Sequence, residues 1–127
     1  MRTRKEQVSI EYLREALDYN PETGVLTWKV RPARHFKDGR TTTSINTRLA
    51  GKPAFTAVQS AGYLCGNIEN RQYLAHRVIW AWYYGEWPPE DMVIDHVNMD
   101  KTDNRIINLE LVTLAENVRR YHALKAA

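Results

Sequence analysis

The sequence predicts an α+β fold: an N-terminal helix and small antiparallel strands, followed by a C-terminal strand–loop–strand–helix unit. Three observations predict it. The chain has 127 residues, 43% of them hydrophobic and 26% charged, which is the size and composition of one globular domain. Apolar residues at helical spacing occur in short stretches bounded by caps or breakers. The other apolar residues fall in short runs between turn formers, which is strand patterning. The expected organisation is a single domain over residues 1–127. Residues 1–70 carry the first helix, strands and a basic loop, and residues 71–127 carry the C-terminal unit.

Taken in order, Ile10 to about Tyr19 reads as a helix, with Ser9 as N-cap and Ile10, Leu13 and Leu17 on one face. Asn20-Pro-Glu-Thr-Gly24 is a turn by composition, and Val25–Val30 is a strand. Arg31–Leu49 has few apolar residues and reads as a long exposed loop. Ala54–Val58 is a short strand; Gly62–Ile68 and Gln72–Ala75 form a hairpin around Glu69-Asn70-Arg71. His76–Tyr84 is a buried helix ended by Gly85. Met92–His96 and Asn108–Thr113 are short strands flanking a stretch dense in turn formers. Thr113 and Glu116 fit a capping box that opens a final helix to about Leu124.

Composition excludes several classes. The longest unbroken apolar run, Val78–Tyr84, has seven residues, whereas a membrane helix needs about 20. Residues 1–7 lack the apolar stretch of a secretory signal. The single cysteine, Cys65, excludes an internal disulfide and any zinc site built on paired thiolates. The expected setting is a reducing cytoplasm.

Charge is unevenly spread. Thr23–Lys52 holds seven cations (Lys29, Arg31, Arg34, Lys37, Arg40, Arg48, Lys52) and one acid, whereas Glu86–Asp103 holds six acids and one cation. The basic stretch suits phosphate contacts with a polyanion. An acidic pocket beside it makes sense if a cation sits there. Arg119, Arg120 and Lys125 are either further cations flanking that polyanion or favourable charges near a helix C-terminus.

Residues 95–117 hold the chemistry, and several readings compete. An EF-hand loop starting at Asn98 fails, because its sixth position is Asp103 rather than Gly and its twelfth is Leu109 rather than Glu. Four histidines and one cysteine show no zinc-ligand spacing. Asn98, Asp100, Asp103 and Asn104 read as turn formers. That reading suits Asp95, His96, Asn108 and Asn117 less well, since they close a strand, open a strand and sit early in a helix. A carboxylate from the strand and an amide oxygen from the helix can hold a hard divalent cation. An adjacent imidazole can take a proton from water near neutral pH. His76 is either a core histidine or, with Arg77, a phosphate contact; Val78, Ile79, Trp82 and Tyr83 read as core.

Tyr73–Asn117 resembles the HNH endonuclease family, in its phage and homing-endonuclease-like branch. The residues that carry the resemblance are Ala75-His76-Arg77, Trp87-Pro88-Pro89, Ile94-Asp95-His96, Asp103-Asn104-Arg105, Asn108-Leu109-Glu110 and Val112-Thr113 through Glu116-Asn117. The spacing is an Asp-His pair, an Asn twelve residues after the His, and another Asn nine further on. Asn20–Trp28 and Gly62-Tyr63 also look like free-standing phage members. The resemblance implies a ββα-metal unit and metal-dependent hydrolysis of DNA phosphodiesters, in a bacterial host's cytoplasm if the chain is phage-encoded. His96 would be the general base, Asp95 and Asn117 the ligands of one Mg²⁺ or Mn²⁺ ion, and Asn108 the residue bracing the loop. His76, Arg77 and Arg105 become candidates for phosphate contact. No structural zinc is expected, and the implied partner is double-stranded DNA. Ten residues follow Asn117, so sequence-specific docking is expected to come from the N-terminal half or to be weak. The alternative is a DNA-binding protein that keeps the fold without cutting; an RNA-binding reading lacks an aromatic RNP-type motif.

Overall fold

The computed structural model describes residues 7–126, with side chains through residue 123, so the side chain of Lys125 lies outside the described residues. Helix α1 (Ile10–Ala16) starts where Ser9 Oγ accepts from the Tyr12 amide at 3.0 Å. It ends sooner than the sequence predicts. At Leu17 the backbone becomes extended, and Leu17–Asn20 forms β1 with Leu17 and Tyr19 inward and Asp18 and Asn20 outward. The apolar spacing therefore changes from helical to period two within the expected helix. β1 pairs with β2 (Val25–Trp28), and β2 pairs with the two-residue β3 (Pro53–Ala54).

The expected strand Ala54–Val58 is divided. Its first residue belongs to β3, while β4 (Ala57–Val58) pairs with β5 (Leu64–Ile68) in a second sheet completed by β6 (Arg71–Leu74). The break falls at Phe55, which has φ 59° and lays its ring over Gly66, where a Cβ would sit 2.8 Å from Phe55 Cγ. The β5–β6 hairpin turns at Glu69 and Asn70, both with positive φ, as a two-residue primed turn requires.

The segment expected to be an exposed loop is instead mostly helical. Ala33–His35 forms a 3₁₀ turn and Gly39–Leu49 forms α2. Asp38 caps α2, its Oδ1 accepting from the Thr41 amide at 2.7 Å. Low apolar content and a run of threonines disguise the helix, because Thr is a middling former. What anchors α2 is Asn46, whose amide accepts from Arg31 N and donates to Arg31 O, both at 2.9 Å. Arg40, Thr43, Ser44, Thr47 and Arg48 are left exposed along one stripe.

Helix α3 (Ala75–Tyr84) buries Ala75, His76, Val78, Ile79 and Ala81. Gly85 ends it in the left-handed region, donating to Ala81 O at 2.9 Å. Trp82 Nε1 donates to Leu17 O at 2.8 Å, and Arg14 donates to Trp82 O, so α3 is bonded directly to the N-terminal elements. One core cluster draws on both halves, from Leu13, Leu17 and Leu26 to Val78, Ile79, Ile94 and Leu109. The chain closes with the hairpin β7 (Met92–His96) and β8 (Leu109–Thr113), then α4 (Leu114–Ala126). Thr113 Oγ1 accepts from the Glu116 amide at 3.1 Å, the Thr half of the expected capping box, while the Glu116 carboxylate oxygens accept from Arg119 and Arg120. Among the described residues, no helix is long and apolar enough to cross a membrane.

Candidate active site

The β7–β8 hairpin and α4 form one wall of a cleft of about 1090 Å³, and the start of α3 forms another. Asp95, His96, Asn117, His76 and Arg77 all line it. His96 ends β7 opposite Leu109 and is buried. Its Nε2 donates to Asn104 Oδ1 at 2.8 Å. An amide oxygen can only accept, so with Oδ1 facing the ring the bond goes with the tautomer protonated on Nε2 and the lone pair on Nδ1; the Asn104 Nδ2 on the other side is buried without a hydrogen-bond partner.

The loop between the strands is held by its own side chains. Asn108 Oδ1 accepts from the Asn98 amide at 2.9 Å, and its Nδ2 donates to Asn98 Oδ1 at 2.9 Å and Asp103 O at 2.8 Å. Asp100 Oδ1 accepts from the Thr102 amide and hydroxyl, and Asn98 Oδ1 from the Asp100 amide, as turn formers do. Arg105 makes a bidentate pair with Asp103, which holds the Asp103 carboxyl far below the usual carboxylate range. Asn104 is the exception among the four residues read as turn formers. It is 1% exposed and reaches His96. Its place eight residues after His96, inside the Asp-Asn-Arg triplet, was the available signal.

His76, at the start of α3, is buried with its ring centroid 5.0 Å from that of His96, edge to face, and 5.0 Å from Tyr63. Burial, followed by the charges of His96 and Arg77, lowers its pKa to about 3, so it is neutral near pH 7. Its Nδ1 is buried without a hydrogen-bond partner.

Asp95 sits opposite Glu110 across the hairpin. Arg120, from α4, donates through one nitrogen to Asp95 Oδ2 at 3.0 Å and Glu110 Oε1 at 2.5 Å, and through Nε to Glu116 Oε2 at 3.2 Å. Glu110 and Asp95, in that order, raise the Arg120 guanidinium above its usual range. Arg119 pairs with Glu116 at 2.7 Å. Asp95 and Asn117 supply a carboxylate and an amide oxygen to one cleft, a hard-oxygen set that fits a divalent cation retaining several waters. Arg120 engages only Oδ2 of Asp95. Among the described residues, no cluster of three or more His, Cys, Asp or Glu side chains forms a cage for a metal.

The seven cations of residues 29–52 divide into two groups. Lys29 donates to Arg14 O at 3.0 Å, and Arg34 pairs with Glu15. Arg31 donates to Tyr12 Oη at 2.6 Å and His35 Nδ1 at 3.2 Å, with its guanidinium 4.6 Å from the Phe36 ring centroid and 5.2 Å from that of Trp28. Lys37, Arg40, Arg48 and Lys52 are exposed on and around α2.

A helix closing a two-stranded hairpin, with Asp-His on the first strand and Asn on the helix, is the ββα arrangement that the sequence resemblance implies. Residues 73–119 match the family model described as HNH endonuclease. An uncharacterised HNH endonuclease of Acanthamoeba polyphaga mimivirus, L247, is 41% identical over 54 residues, which are 42% of this chain and 14% of that protein. A solved structure of the HNH homing endonuclease I-HmuI, concerned with its DNA binding and cleavage, matches with a TM-score of 0.58 at 18% identity. That match covers 94% of this chain and 59% of the I-HmuI chain, so the likeness of fold extends well beyond residues 73–119.

Proposed function

We propose that this chain hydrolyses phosphodiester bonds of double-stranded DNA, using His96 as general base and one divalent cation, Mg²⁺ or Mn²⁺, at Asp95 and Asn117. The observation that carries the reading is that His96, whose Nε2 is bonded to Asn104, lines the same cleft as Asp95 and Asn117. His96 takes a proton from water as the water oxygen bonds to phosphorus; the P–O3′ bond breaks, and the oxygen that leaves takes up a proton. The products carry 5′-phosphate and 3′-hydroxyl ends. The cation, when bound, supplies charge neutralisation at the phosphate and at the leaving oxygen. His76 and Arg77, which line the cleft, contact the scissile phosphate. Asn108 braces the loop, and Arg105, paired with Asp103, stiffens it. Lys37, Arg40, Arg48 and Lys52 dock phosphates outside the cleft, with the hydroxyls of α2 between the two arginines.

The second reading, a DNA-binding protein that keeps the fold without cutting, draws on Arg120, which already places a positive charge on Asp95. A supercoiled-plasmid nicking assay with Mg²⁺ or Mn²⁺ separates the two. Nicking that EDTA abolishes is the expected result, and DNA retention without nicking in either metal selects the second reading.

A further inference from the structure

Asn104, whose side chain bonds His96, has its backbone held from outside the β7–β8–α4 unit. Tyr19, on β1, donates its hydroxyl to Asn104 O at 2.6 Å, a buried bond spanning 85 positions of sequence. Burial pushes the Tyr19 hydroxyl up to about 12, so it stays protonated and remains a donor at neutral pH. The turn that follows β1 presses on the same peptide. Gly24 has φ +77°, and a Cβ there would sit 2.6 Å from the Asn104 carbonyl carbon and 2.5 Å from the Arg105 nitrogen. Real Cβ atoms do not approach backbone so closely, so glycine at this position lets the turn lie against the loop. The Asn104 backbone is therefore fixed on one side by a hydrogen bond and on another by contact. Its side chain, 1% exposed, has one described partner, His96.

We propose that the β1–β2 hairpin is a positioning element of the nuclease site: Tyr19 and Gly24 fix the Asn104 backbone so that its amide oxygen keeps His96 protonated on Nε2, with the lone pair on Nδ1. Tyr19, Gly24 and Asn104 are positioning residues; none of them reacts. The cleft is then a joint product of both halves of the chain, since the residue that takes the proton is on β7 and its orientation is set through β1 and the turn after it. The inference rests on the assignment of His96 as the base, and its test is readable without DNA or metal.

The experiment is imidazole ¹⁵N NMR of the full chain without metal or DNA, paired with single-turnover cleavage. Wild-type His96 should show the Nε2–H tautomer. Tyr19→Phe keeps the ring and removes the hydroxyl. It should give mixed His96 tautomers and a cleavage rate about tenfold lower, the scale of one lost hydrogen bond read as a rate. KM should be unchanged. Asn104→Leu should lose the tautomer signature and more of the rate. Asn104→Asp, which keeps an accepting oxygen against Nε2–H, should preserve the signature and cut faster than Asn104→Leu. A Tyr19→Phe protein with wild-type tautomer and rate, altered only in its thermal midpoint, would show that the contact is structural and overturn the proposal. So would an Asn104→Leu protein with an unchanged His96 tautomer. If wild type cuts no DNA, the nuclease reading falls, and the tautomer comparison still decides whether the hairpin orients His96.

Discussion

Residues 92–117 and residues 29–52 pose the same problem and answer it differently. In the first, the informative side chains hang on a hairpin and a helix whose geometry sets their directions, so Asp95, His96 and Asn117 line one cleft. In the second, seven cations look alike in sequence, yet three bond to other groups of the chain and four lie exposed on and around a helix. Residue type and spacing suffice where a compact local motif aims the side chains. A charge run has no such frame, and its meaning depends on partners such as Tyr12, Glu15 and Arg14 that lie elsewhere in the chain.

The largest effects belong to the framed region. Asp95→Ala and Asn117→Ala should each abolish cutting without unfolding the chain. Each should also weaken Mn²⁺ binding in calorimetry by more than the roughly 10–100-fold usual for outer-shell partners. Unchanged affinity in both variants would remove the metal from this cleft.

A smaller effect separates the two classes of cation. Replacing Lys37, Arg40 and Arg48 together with Gln should lower duplex affinity about equally for every sequence. It should flatten the slope of log affinity against log salt by about 0.9 per lost phosphate contact. Arg31→Gln should leave the slope alone and destabilise the fold by about 1–3 kcal/mol, because it removes charged hydrogen bonds and ring contacts. Equal salt slopes in wild type and the triple variant would move DNA docking off α2.

The smallest effect concerns stability and pH. His76 is held neutral by burial, with its pKa lowered to about 3 from an ordinary 6.5. Between those values the unfolded chain binds a proton that the folded chain refuses. Stability from this group is therefore complete above about pH 6.5 and is lost as pH falls toward 3. The slope is at most about 1.4 kcal/mol per pH unit for one proton. Urea midpoints across this window should fall more steeply for wild type than for His76→Phe. Parallel curves would mean that His76 titrates normally.

The sequence carried most of the frame, for identifiable reasons. The β7–β8–α4 unit, the β5–β6 hairpin and the Gly85 helix stop are local signals: alternation, paired turn residues, a capping box and a left-handed cap. The misses came where distant contacts decide. Leu17–Asn20 leaves the helix because β2 is available to pair with it. Phe55 splits one expected strand between two sheets. The α2 helix is tied down by Asn46 against the Arg31 backbone, a pairing that no local pattern reveals. At the site, Asn104 passed for a turn former because its neighbours Asn98, Asp100 and Asp103 are turn formers, and only tertiary burial against Tyr19 and His96 separates it from them.

The central claim is that His96 removes the proton from the attacking water, and the plasmid assay tests it most directly when wild type and His96→Ala are run side by side at saturating Mg²⁺. The account predicts a rate lower by roughly 10²–10⁴-fold in the variant, the usual contribution of a general base, with DNA affinity nearly unchanged. Cleavage by His96→Ala at the wild-type rate would contradict it.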